Sequence, residues 1–255
     1  MHDILQKTTR WGLRLTIAAA VALAGFLVWA WWAPLPGRLD REDSVVVDYA
    51  DGQAAHVFLS PDDKWRIDRP LGKIDSDYIG ALVALEDERF WYHPGVDPIA
   101  ILRAAASNAR HGAVVSGAST ITMQLVRLME PRPRTFGSKV IEAFLAIPLE
   151  LHYSKAEILE HYLRFAPFGE NIEGMSAASY AYFGHGPGDL SPDEIATLLA
   201  VPQNPTHHHP SPENAERLAK VRDRIAGKLL ERRALPRRRG NPPPTPDDIA
   251  EQIRT

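Results

Sequence analysis

The chain has 255 residues, with 29 lysines and arginines against 32 aspartates and glutamates, for a formal net charge of −3. That near balance argues against a general nucleic-acid binder, which needs a basic surface to neutralise phosphates. No cysteine is present, which excludes disulfide frameworks, thiol nucleophiles and cysteine zinc sites and suits an oxidising compartment; the length allows one sizeable domain with appendages.

From Leu15 to Trp32 no residue is charged, and a run of that length can cross a hydrocarbon core as a helix. Trp29, Trp31 and Trp32 cluster at its far end, where aromatic rings favour the interface, and Lys7, Arg10 and Arg14 precede it. Residues 15–36 are therefore expected to form an uncleaved single-pass anchor, with 1–14 in the cytoplasm and the remainder outside the inner leaflet. Tryptophans occupy the zone where a signal peptide would be cut. Residues 38–43 read as a charged hinge. Two β-prone runs then flank Asp51-Gly52, which predicts a hairpin with a type I′ turn inside a 37–74 linker region.

From residue 75 apolar residues recur at helical spacing, with Ser76 or Asp77 available as N-cap. Further helices are predicted over 97–109, 119–129, 139–151, 155–163, 175–182, 193–199 and 215–233, punctuated by Pro131, Pro133, Pro167, Gly169 and Pro187. The 75–233 body is thus mainly α-helical. Residues 234–255 form an Arg/Pro-rich tail of linker composition.

Four segments carry chemistry. Glu86 and Asp87 end an apolar helix beside Phe90, Trp91, Tyr92 and His93. An acid against an apolar face has its pKa raised by desolvation, which suits a general base; a solvated helix end is the plain alternative. Ser119, Thr120 and Gln124 open a helix whose free N–H groups can hold an anionic oxygen or simply be capped. Lys139 and Glu142 stand at i and i+3, the spacing of an ordinary exposed ion pair. Lys155 precedes an amphipathic helix carrying Glu160 and Tyr162. His207–His209 are adjacent and cannot all face one ion, so they read as a polar loop.

In order, EDERFWYHPG, GASTITMQ, KVIEAFLA and KAEILEHYL followed by NIEGMSAASYAYFG resemble the motifs of glycosyltransferase family 51, the peptidoglycan glycosyltransferases. Finer details such as RTFGSK and VPQNP look most like the penicillin-binding protein 1C subtype. The resemblance spans about residues 75–233. It implies a lysozyme-like, mainly α fold with a membrane-facing jaw, in a bacterial inner membrane. It also implies polymerisation of lipid II into β-1,4 glycan, with Glu86 as base and Glu142 as the second catalytic acid. Asp87, Phe90, His93, Ser119, Thr120, Gln124, Arg134, Lys139 and Lys155 would bind substrate. Glu142 would hold a divalent cation, Mg2+ or Mn2+, or position basic groups; Glu160 and Tyr162 are read as structural.

Two departures stand out: Ser138 and Arg164 replace the arginine and asparagine common in the third and fourth motifs, and Arg132 or Arg134 is the candidate replacement cation. The sequence contains no Ser-x-x-Lys and no Lys-Thr-Gly, so no transpeptidase domain is expected within it; a separate transpeptidase or other cell-wall protein is an expected partner. Rival readings are a lytic enzyme and a non-catalytic lipid II-binding scaffold.

Overall fold

A computed structural model describes residues 2–35, 37–49, 54–113, 117–232 and 234. The uncharged N-terminal run lies in helix α1, His2–Trp32, which begins well before the expected span and stops ahead of Pro34. Within it Leu13–Trp32 is long and apolar enough to cross a membrane, and few of its side chains are covered by protein. Where α1 does touch the body, Phe26 meets Phe144 edge-on at 5.7 Å and Trp31 stacks on His152 at 5.3 Å.

The connector is clamped rather than hinged, which corrects the expectation for 38–43. A 3-10 turn, Gly37–Asp40, buries Leu39. The guanidinium of Arg164 then donates to Asp43 at 2.8 Å and to the carbonyls of Leu39 and Arg41. The hairpin forms from β1, Val46–Asp48, and β2, Ala54–Val57, paired antiparallel with an irregularity after Val47. Its expected Asp51-Gly52 turn lies outside the described residues, as does nearly all of the 234–255 tail. A second, parallel pair joins β3, Trp65–Arg66, to β4, Ile172–Glu173. There the fully buried Arg66 binds Glu173 at 2.6 Å and Asp62 at 2.8 Å.

The helical body starts with α2, Ser76–Glu86. Its cap is Asp75, not Ser76 or Asp77: one carboxylate oxygen accepts from Asp77 N and the other from Leu190 N, so one side chain both starts the helix and ties it to a distant loop. α3, Pro98–His111, has Asp97 as cap and proline at its first position, and ends on left-handed Gly112. α4, Ile121–Met129, and α5, Phe136–His152, are capped by Thr120 and Thr135. α6, Lys155–Phe165, opens on a Ser154/Glu157 capping box. α7, Met175–Phe183, and α8, Pro192–Ala200, follow. Residues 205–208 form a short helix α9, Pro205–His208, where a loop was expected; α10, Ala215–Glu231, ends the body.

These helices bury one continuous core in which Tyr78, Phe90, Ile121, Leu125, Leu159, Met175, Leu198 and Leu229 are at most 2% exposed. Truncating such a side chain costs about 2–5 kcal/mol through lost transfer energy and the cavity left behind. α4 sits centrally, packed on α5 and α6. By contrast, α3 and α5 leave Ile99, Leu102, Phe136, Ile141 and Phe144 exposed.

Candidate active site

Helix α2 ends at Glu86 because Asp87 takes a non-helical conformation (φ −157°, ψ 74°). The Asp87 carboxylate then accepts from Ile121 N at 2.9 Å and contacts His93 Nε2 at 3.0 Å. One aspartate thereby closes α2, fixes the following turn and keys the start of α4. Thr120, the cap of α4, donates to the carbonyl of Gly95. Gly95 has φ +87°, and a Cβ there would lie 2.9 Å from the Ala146 carbonyl oxygen of α5. Only glycine lets the turn after His93 pass so close to that helix.

Helix α4 presents two polar links on one face. Gln124 Nε2 donates to Glu86 Oε2 at 3.0 Å, and Tyr162 on α6 donates to the same amide's oxygen at 3.3 Å, which orients it. Three residues on, Arg127 donates through Nε and Nη2 to the two oxygens of Glu142, at 2.7 and 2.6 Å. Glu142 is 1% exposed. Such bidentate, charge-assisted pairs are the strong members of the hydrogen-bond family.

Burial pushes the half-buried Glu86 carboxyl above the usual carboxylate range, and the charge of Asp87 adds to this; the Gln124 amide and Lys228 on α10 partly oppose it. The Tyr162 hydroxyl is pushed far up by its burial and then by Glu86, so it remains a donor. A carboxylate with a raised pKa, held by a neutral donor, can accept a proton from a bound hydroxyl.

Next to α4 lies a cavity of about 520 Å3, lined by Ile101, Ser119, Met123, Arg134, Lys139 and Val140 among others. Apolar walls with two cations suit an amphiphilic anion. Ser119, Arg134 and Lys139 thus gather at one cavity, while Gln124 reaches Glu86. Asp87, Phe90, His93, Thr120 and Lys155, also expected to touch substrate, are not among the residues that line this cavity. Asp87, Phe90, His93 and Thr120 are buried, and Lys155 Nζ is spent on Glu150 at 2.7 Å and on the face of the Phe90 ring at 4.4 Å. The physical reason is that a turn carrying so much charge between packed helices has to satisfy it internally. Glu160 accepts from Leu71 N, in keeping with a structural role.

Both oxygens of Glu142 are occupied by Arg127, and no group of three or more histidine, aspartate or glutamate side chains able to hold an ion occurs among the described residues. With both oxygens given to Arg127, Glu142 holds a basic group, the second of the two tasks expected of it. Arg127 was missed because the i, i+3 spacing drew attention to Lys139. The available signal was the lone acid in the apolar stretch 140–149, which requires a cation from another element. Lys228 was missed as well.

A family model described as Transglycosylase matches residues 51–230. Penicillin-binding protein 1C of Escherichia coli (strain K12) is 42% identical over 224 residues, covering 86% of this chain and 29% of that protein. Penicillin-binding protein 1A of Aquifex aeolicus (strain VF5) is 36% identical over 230 residues, covering 86% of this chain and 30% of that protein. The chain thus spans less than a third of these relatives' length. A crystal structure of penicillin-binding protein 1A from Haemophilus influenzae aligns with TM-score 0.43 at 16% identity, covering 84% of this chain and 20% of that one.

Proposed function

The chain belongs to the transglycosylase family, and from that premise we propose that it is a peptidoglycan glycosyltransferase that polymerises lipid II into β-1,4 glycan strands. The observation that carries this reading is the pairing along α4: Gln124 holds Glu86, and Arg127, about 4.5 Å further along the helix axis, holds Glu142.

In the proposed step the acceptor sugar's 4-hydroxyl gives its proton to the Glu86 carboxylate. Its oxygen attacks the anomeric carbon of the donor, and the bond from that carbon to the diphosphate oxygen breaks on the opposite face. The configuration inverts from α to β, and undecaprenyl diphosphate leaves with the bonding electron pair. The leaving group needs charge stabilisation more than protonation. Lys139 and Arg134 would supply it from the cavity wall, with Ser119 beside them. Asp87, His93, Thr120 and Lys155 act by fixing the turn and helix start that place Glu86 and Gln124. The exposed apolar residues of α3 and α5, next to α1, would rest in the outer face of the same membrane that α1 spans, with the N-terminus cytoplasmic.

A scaffold that only binds lipid II would not require a carboxylate poised as Glu86 is. The test is incubation of the detergent-solubilised protein with labelled lipid II. Polymer that disappears with Glu86→Gln supports the reading. Binding without polymer, unchanged by that substitution, would point to a scaffold, and fragments released from finished glycan would point to a lytic enzyme.

A further inference from the structure

The chain leaves the apolar span of α1 at Trp32, and within a few residues it is fastened to the helical body. Leu35 packs against the core and Leu39 is buried in it. From there two arginines take the connector backbone in turn. Arg164, in the last turn of α6, donates to the carbonyls of Leu39 and Arg41 and, through Nε, to Asp43 Oδ1 at 2.8 Å. Arg66, on β3, donates through Nη1 to the next carbonyl, that of Glu42, at 2.7 Å. Its own N–H donates to Ser44 Oγ at 2.9 Å, and its carbonyl accepts from Ser44 N at 2.7 Å. Both guanidiniums lie over the ring of Phe165, that of Arg164 at 4.8 Å and that of Arg66 at 5.3 Å. Ordering a backbone costs conformational entropy, and water satisfies an exposed carbonyl, so a mere tether gains nothing from such fastening.

The point of attachment matters because of what else α6 carries. Tyr162, two residues before Arg164, donates to the Gln124 amide that holds Glu86. The 3-10 turn Gly37–Asp40 also packs on α4, the helix that bears Gln124. Trp31 and Phe26 tie the end of α1 to His152 and Phe144 of α5. The exit of the span is thus bound to α4, α5 and α6 together.

We infer that Arg164 is a positioning residue for a membrane-embedded substrate: by locking residues 39–43 to α6 it fixes the height and tilt of Glu86 over the bilayer surface. This rests on the reaction proposed above, since a lipid-linked donor presents its sugar–diphosphate bond at a set depth.

The first arm compares one reaction in two media with the full-length protein. In proteoliposomes lipid II and the anchor share a planar bilayer, whereas a detergent micelle imposes no such plane. Arg164→Gln should polymerise bilayer-embedded lipid II at least about tenfold more slowly, toward the roughly 100-fold that a misplacement of about 1 Å costs. In detergent it should keep most of its rate. Asp43→Asn spares the two carbonyl bonds and should show the same pattern at smaller size, which covers the case in which Arg164→Gln does not fold. A loss confined to the bilayer supports the inference. An equal fractional loss in both media assigns Arg164 to the fold alone and overturns it, as does a full rate in both.

The second arm needs no turnover. The chain has no cysteine, so Arg224→Cys, exposed on α10, gives a single labelling position for energy transfer to acceptor-labelled lipid headgroups. Arg164→Gln that melts at the unsubstituted temperature should change the transfer efficiency; an unchanged efficiency overturns the inference. Should the unsubstituted protein make no polymer in either medium, the proposed reaction fails while this arm still decides whether Arg164 sets the height.

Discussion

Helix α4 holds two glutamates and treats them oppositely. Glu142 is sealed from solvent and locked to a guanidinium by two short bonds, whereas Glu86 is half-buried and bound by a neutral amide. A guanidinium meets both the charge and the hydrogen-bonding needs of a buried acid, whereas a neutral amide satisfies geometry alone. On the reaction proposed above, the first arrangement is a structural strut and the second a base. Residue type is identical; the partner decides the chemistry.

The comparison breaks most visibly at Glu86. Replacing it with Gln should lower polymerisation about 10²–10⁴-fold, the usual contribution of a general base, measured with labelled lipid II. The same variant should melt no lower than the parent near neutral pH. Folding raises this carboxyl's pKa, so the folded state binds the proton more tightly than the unfolded chain. Stability from this group therefore falls as pH rises from the ordinary carboxylate range through the raised value, while activity rises over the same interval as the base is freed.

At Glu142 the effect should be on folding. Arg127→Met strands a buried charge and should cost about 3–5 kcal/mol in urea unfolding; adding Glu142→Gln should return much of that. If the single substitution proves neutral, the strut reading fails. A smaller change is expected from Gln124→Leu, which removes the amide that lowers Glu86's pKa. The acid limb of the kcat/KM profile should move to higher pH, with a loss of about tenfold at neutrality, from the loss of a hydrogen bond to a charged group.

Glu194 supplies the mildest case, an acid whose partner is itself titratable. His185 has its pKa raised, chiefly by its hydrogen bond to Glu194, and its side chain is 42% exposed. Its stabilisation is complete below the ordinary histidine value and is lost as pH rises through the raised one. His185→Gln should therefore cost under about 1 kcal/mol in acid, and nothing in mild alkali.

Glu86 was legible in the sequence because an acid ending an apolar helix carries its own environment with it. The cap of α4 was legible at Thr120, where cap and helix are contiguous; at α2 Ser76 or Asp77 was expected, and Asp75, which also holds distant Leu190 N, takes the place. Links between distant elements stayed hidden: Arg127 to Glu142, Tyr162 to Gln124, and Arg164 to residues 39–43. Arg164 is instructive, since the side chain that broke the motif pattern turns out to anchor the connector. Asp87 and His93 were grouped with Glu86 from sequence, but their burial was not legible, because sequence shows which polar groups are neighbours and not which of them water can reach.

The three-residue step from Gln124 to Arg127 also limits how this protein can vary in length. One residue inserted between them would swing Arg127 about 100° around the helix, away from Glu142, while Gln124 kept its place. A deletion would do the same in the other direction. This single turn of α4 acts as a ruler whose gradations cannot be moved.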